Sequence, residues 1–257
     1  MTNFFKYMSS DTAITVITNS TLKFTHPHKF NDPFDYHPTC EVEGITKYYK
    51  RVRTENNWQK ELELANFKHL RKHTKVLRSS EFREAISKIC AITCFSRSPF
   101  ILPMWAHYGN NHDGCVLEFR HISNIELNEV ISKKIRLYNS GFLIPFDVIY
   151  SDVRPKIFDK NGVSNTENTG FNSCFIKAKA WEYEQEVRVI KEGEEGIYKF
   201  PMEQLVAIHF GMRVSQDKKR AIANSVRSLN NQHFISIKLF QMAMEYNTFN
   251  LTKVAYR

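Results

Sequence analysis

The sequence predicts an α+β fold with mainly antiparallel sheets, peripheral helices and a helical insertion near residues 45–89. Three observations lead there. Short β-branched or alternating runs, bounded by turn residues, recur along the chain. The stretch from about 45 to 89 instead carries apolar residues at helical spacing. No linker rich in Gly, Pro or Ser flanks that stretch, so it reads as an insertion in a single domain spanning 1–257.

Taken in order, Thr12 to Ile17 is β-branched and Leu22 to Thr25 alternates, which predicts two extended pieces around an Asn19-Ser20 turn. His26 to Pro38, broken by Pro27 and Pro33, reads as an irregular surface loop. Trp58, Leu62 and Ala65, then Phe67, Leu70 and Leu77, approximate a helix face within 45–77. Ser79-Ser80 can cap a second helix, with Glu81 and Glu84 in its first turn and Phe82, Ile86 and Ile89 as its stripe. Cys90 to Ser96 is a short strand. Pro103 starts a short helix through Tyr108, and Gly114 precedes a strand at 115–119. Phe146 to Tyr150 reads as a strand and Lys160 to Asn172 as a mobile loop. A helix or turn at 175–180 then feeds a strand from Glu182 to Ile190. Leu205 to Phe210 forms a further strand, Ser215 caps a helix faced by Ile222, Val226 and Leu229, and two strands close the chain at 234–243 and 249–255.

Composition narrows the class. Aromatic residues make up 13%, including 20 Phe and 11 Tyr, enough bulk for a sizeable core. No apolar run approaches the roughly 18 to 20 residues that cross a bilayer, and Met1 to Asp11 lacks the regions of a signal peptide. A cytoplasmic protein without membrane association is therefore expected. Cys40, Cys90, Cys94, Cys115 and Cys174 form no CxxC pair, so reduced thiols are expected and no zinc site. The formal charge of +9 is compatible with an acidic partner such as nucleic acid, and with solubility alone. Basic residues concentrate from Lys47 to Arg78, with Tyr48, Tyr49 and Trp58 among them, a pattern that suits phosphates and bases or a solvated helix face.

The chemistry concentrates at Trp181 to Arg188. On a strand, residues two apart share a face, so Glu182, Glu184, Glu186 and Arg188 would project together. Trp181, Tyr183, Val187 and Val189 would face the other way. Like charges in a row repel, which makes this face either a site with compensating cations or a solvated edge. Phosphate-loop, dinucleotide, zincin and EF-hand patterns are absent. No G-x-S-x-G elbow surrounds Ser96, which sets aside a triad with His107.

Five motifs occur in order: Lys6-Tyr7, Phe30-Asn-Asp-Pro-Phe34, Cys94-Phe-Ser96, Met104-Trp-Ala-His-Tyr108 and Trp181 to Arg188. In them the chain resembles an uncharacterised bacterial domain family that is distantly similar to ADP-ribosyltransferases. That resemblance implies an ADP-ribosyltransferase-like fold with NAD as substrate. It implies Glu186 and Glu184 as the catalytic carboxylates, the first stabilising the ribosyl cation and the second activating the acceptor. Lys6, Tyr7, Asn31, Ser96, Tyr108 and Arg188 are then the residues expected to bind NAD. Asn31 and Asp32 would order the loop beside it. A toxin-like or phage-defence effector acting on nucleic acid, or on a nucleic-acid-binding protein, and held by an antitoxin, is the implied setting. Two alternatives stay open: a metal-dependent nuclease built on Glu182, Glu184 or Glu186 with Asp32, and a binding module whose acidic strand is structural.

Overall fold

A computed structural model describes residues 3–39, 43–44, 46–47, 50, 83–84, 87–156, 160–161 and 173–256. Apart from helical residues at 46–47 and 50, the helices expected within 45–82, most of their basic stretch and nearly all of the 160–172 loop lie outside the described residues. Residues 83, 84 and 87 are helical, as expected of the second of those helices, although Ile89 is exposed instead of lining an apolar stripe.

The α+β expectation holds. Strands β1 (Phe4–Ser9), β3 (Cys90–Ser96), β4 (Gly114–Phe119), β5 (Phe146–Asp147), β8 (Glu186–Glu192), β10 (Leu205–Phe210), β11 (Lys238–Met244) and β12 (Leu251–Ala255) form one eight-stranded sheet. Its order is β12-β11-β10-β4-β1-β3-β8-β5, and among the described residues β10 and β11 are its parallel neighbours. Two small sheets accompany it: β2 (Thr21–Phe24) with β9 (Gly196–Lys199), and β6 (Ile149–Ser151) parallel to β7 (Ile176–Ala178).

Helices α1 (Ser10–Asn19) and α4 (Gln216–His233) cover one face. Alternation places Phe4 and Met8 on that face, where they join Ile17, Leu117, Ile222 and Val226 in the main core. On the other face Phe5, Tyr7 and Val116 pack against Trp105 of α2 (Leu102–His107). A further helix, α3 (Asn124–Ser132), begins with a reciprocal Ser123–Glu126 capping box.

Two local expectations are corrected. Thr12 to Ile17 is helical, not extended. Ser9 caps the helix by accepting from the Thr12 amide at 3.2 Å, and Ala13, Val16 and Ile17 form a buried face at helical spacing. Burial of that face outweighs the weak β preference of Thr, Ile and Val. The Asn19-Ser20 turn becomes the left-handed cap of this helix, with Ser20 at φ 54°. The expected strand Glu182–Ile190 also divides. Its first half is a 3₁₀ segment, Lys179–Glu184, preceded by β7 where a helix or turn was expected. Gln185 turns left-handed at φ 46°, and only then does β8 begin.

The central strands do not pair along their full length. β1 pairs with β4 over six residues, but with β3 at one position, Phe5 with Ser96. Beyond that point the strands diverge. Ile92 instead exchanges both backbone hydrogen bonds with Thr25, just after β2. The sheet is therefore forked between β1 and β3.

Candidate active site at the fork

A cavity of about 490 Å³ occupies the fork, a size within the range of small-molecule sites. Because side chains alternate, it is lined from both faces of the sheet. Lys6, Met8 and Thr93 enter from the α1 face, while Asn31, Tyr108, Lys177, Glu184 and Glu186 enter from the other.

The acidic wall is a buried ion network. Lys177, at the centre of β7, donates to Glu184 Oε2 and, at 2.7 Å, to Glu186 Oε2. Arg188 Nε donates to Glu186 Oε1 at 2.7 Å, and its two terminal nitrogens meet Asp35 at 3.1 and 2.5 Å. The same guanidinium donates to the Cys174 carbonyl at 2.8 Å. Asp35, Glu184, Glu186, Lys177 and Arg188 are all buried. Removing water from such charges costs several kcal/mol each, so the array persists because nearly every oxygen and proton is paired. Its three carboxylates face two cations, Lys177 and Arg188.

Protonation follows from these contacts. Burial alone would raise the Glu186 pKa, but Arg188 and Lys177 overcome it and hold the group at about 2. Glu186 is thus a permanent anion across the physiological range. Burial would lower Lys177, yet Glu186 and Glu184 drive it above the ordinary lysine value. Lys6 goes the other way: burial lowers its pKa more than Cys94 and Glu186 raise it. Burial and the Glu184 charge push the Tyr108 hydroxyl up, so it remains a donor.

The expected site residues divide by position. Lys6, Asn31, Tyr108, Glu184 and Glu186 share the cavity lining. Tyr108 donates to Glu184 Oε1 at 2.9 Å, and Asn31 Nδ2 reaches the Tyr108 hydroxyl at 3.3 Å. Tyr7 also lines the cavity, but its hydroxyl donates to the Ser98 carbonyl at 2.9 Å and its ring packs edge-on to Trp105. Ser96 is buried, and its hydroxyl donates at 2.7 Å to the Glu184 carbonyl, fixing that turn. Arg188, fully buried, acts on Glu186 and Asp35. Asp32 orders its own loop by accepting from the Phe34 amide at 2.8 Å.

Glu182 departs from the expected common face. It is exposed on the 3₁₀ segment, away from the paired Glu184 and Glu186. Glu182 therefore does not join Glu184 and Glu186, and Lys177 and Arg188 hold oxygens of that pair. Among the described residues no three His, Cys, Asp or Glu side chains gather in a metal-binding arrangement. Cys90, Cys94, Cys115 and Cys174 are not joined in disulfides.

Sequence reasoning missed Asp35, Lys177, Tyr150 and Thr93. Tyr150 accepts from the Glu186 amide at 2.6 Å and anchors the start of β8. Three like-charged Glu residues demand cations, which was a signal for a partner such as Lys177, though nothing in the spacing named it.

Comparison with known proteins adds one match. Residues 104–189 match the model of a family described as a protein of unknown function (DUF2971). The matched span contains Tyr108, Lys177, Glu184, Glu186 and Arg188, and excludes Lys6, Asn31, Asp35 and Thr93. No curated protein and no solved structure matches the chain.

Proposed function

We propose that the fork is the catalytic cleft of an NAD-consuming ADP-ribosyltransferase, with Glu186 as its central carboxylate. One observation carries the reading. An ionised carboxylate, held by Lys177 and Arg188, lines a cavity of dinucleotide scale beside a second carboxylate and a phenol donor.

In this reaction the bond between ribosyl C1′ and the nicotinamide nitrogen breaks. Its electron pair leaves with neutral nicotinamide, and C1′ gains cationic character until an acceptor lone pair captures it. The acceptor then loses its proton. A fixed anion next to C1′ stabilises that charge without rearranging at the moment of reaction. A pKa near 2 suits Glu186 to this role and not to general acid work, which requires a proton held near neutral pH. Glu184, oriented by Tyr108 and by the Ser96 contact to its carbonyl, is placed to accept the acceptor's proton. The +9 charge supports an anionic acceptor such as nucleic acid, with a restraining antitoxin as a further partner of this reading.

The test is incubation with NAD and cell extract, scoring free nicotinamide and ADP-ribose adducts by mass spectrometry. Wild type should release nicotinamide in the presence of EDTA. Glu186→Gln, confirmed folded by its melting transition, should lose about a hundredfold or more of the rate. Absence of both products, or undiminished activity in a folded Glu186→Gln, would sink the proposal. Degradation of RNA or DNA abolished by EDTA would point to the nuclease instead.

A further inference from the structure

The α1 side of the fork carries two polar groups that the acidic network does not use. Thr93 is 2% exposed and lines the cavity, yet its hydroxyl oxygen has no hydrogen-bond partner among the described residues. A buried hydroxyl without a partner costs on the order of 1–3 kcal/mol, so such groups call for an explanation. Lys6 reaches the same region. Its ammonium lies 5.1 Å from the centre of the Phe95 ring, and Thr93, two residues earlier on β3, shares the face of Phe95. That ammonium donates to the Cys94 carbonyl at 2.7 Å, which leaves further N–H bonds for a ligand. Lys23, on the exposed side of β2, also borders the cavity. Met8, Val16 and Leu22 supply apolar wall between them.

From this arrangement we infer that the α1 side of the fork is an oxyanion subsite, in which Lys6 and Thr93 bind a phosphate oxygen. A phosphate accepts from both the ammonium and the hydroxyl, which satisfies the orphaned Thr93 and gives the Lys6 cation an anionic partner at once. Lys23, a second lysine on the lining of the same cavity, suits a ligand carrying more than one negative charge, which favours a diphosphate over a single carboxylate. The subsite shares the cavity of the proposed transferase but needs no transfer reaction. It would bind a nucleoside diphosphate in a protein without that activity.

Isothermal titration of the whole chain with pyrophosphate, ADP and adenosine, together with succinate, tests it. Wild type should bind pyrophosphate and ADP and favour both over adenosine and succinate by about tenfold or more. Lys6→Met keeps the aliphatic stem and should weaken ADP by about tenfold or more. Thr93→Val gives the sharper signature. Removing an unpartnered hydroxyl should hold or raise the melting temperature while weakening ADP several-fold. A purely structural Thr93 would lower it and leave binding alone.

No binding of pyrophosphate or ADP by wild type, succinate binding as tightly as ADP, or unchanged ADP affinity in folded Lys6→Met overturns the assignment. The two proposals fail separately. ADP binding without nicotinamide release would reject the transferase and keep the subsite, whereas undiminished nicotinamide release by Lys6→Met would do the reverse.

Discussion

At the scale of single residues, Glu186 shows how a buried charge is stabilised and why its stability depends on pH. Its carboxylate would be neutral in an apolar pocket, and only the Arg188 and Lys177 contacts keep it ionised. The folded pKa, about 2, lies below the ordinary value of 4.5, so folding favours the deprotonated form. The stability this provides is complete above about pH 4.5 and is lost as pH falls through 2. Melting temperatures followed from pH 6 to 2 should therefore drop, and drop less steeply in Glu186→Gln, which has no proton to gain. Parallel curves for the two proteins would show that Glu186 is not the group that titrates. The identity of this residue was legible, because a carboxylate-rich stretch beside an arginine is unusual enough to notice. Its partners were not: Asp35 lies 153 positions from Arg188 in sequence, and no local pattern links them.

At the scale of elements, the pairing of Glu184 with Glu186 was anticipated for a reason the structure replaces. Strand alternation would have put both on one face together with Glu182. What brings them together is a 3₁₀ segment, a left-handed Gln185 and a strand start, and that break is also what turns Glu182 outward. A residue with a Cβ in the left-handed region costs roughly 1–2 kcal/mol, most for β-branched side chains. Gln185→Gly should accordingly keep both fold and site. Gln185→Val should destabilise by at least about 1 kcal/mol and reduce nicotinamide release, since Glu184 could no longer reach Lys177 and Tyr108 together. Equal melting and activity in the two variants would show that the left-handed turn is dispensable. The same competition explains α1, where tertiary burial of one face overrode a β-branched sequence. Strands such as β3, β4 and β10 were legible because short apolar runs bounded at one end by Gly or Ser leave little alternative.

At the scale of the whole molecule, the sheet is two parts joined at a narrow seam. β12, β11, β10, β4 and β1 lie on one side, and β3, β8 and β5 on the other, with Phe5 and Ser96 the paired position between them. None of this could be read from the sequence, because alternation reveals which face a side chain takes but not which strand lies beside it. The seam has a thermodynamic consequence. Between Ile92, bonded to Thr25, and Ser96, opposite Phe5, the Cys94 carbonyl is met by the Lys6 ammonium and not by a strand. A ligand in the fork would touch both parts, so it would bind the closed sheet and not the unfolded chain. At a hundred times its dissociation constant it should add about 2.7 kcal/mol of stability. Hydrogen exchange resolves where that gain is felt. With saturating ADP, peptides covering Phe4–Ser9 and Cys90–Ser96 should slow markedly under conditions of local opening, while the Gln216–His233 helix, which supplies no residue to the cavity lining, changes less. Uniform slowing across all three would mean that the ligand stabilises the fold as one unit and that the seam has no independent motion. Protection confined to the helix would place the ligand elsewhere, and the fork would lose its claim to be the site.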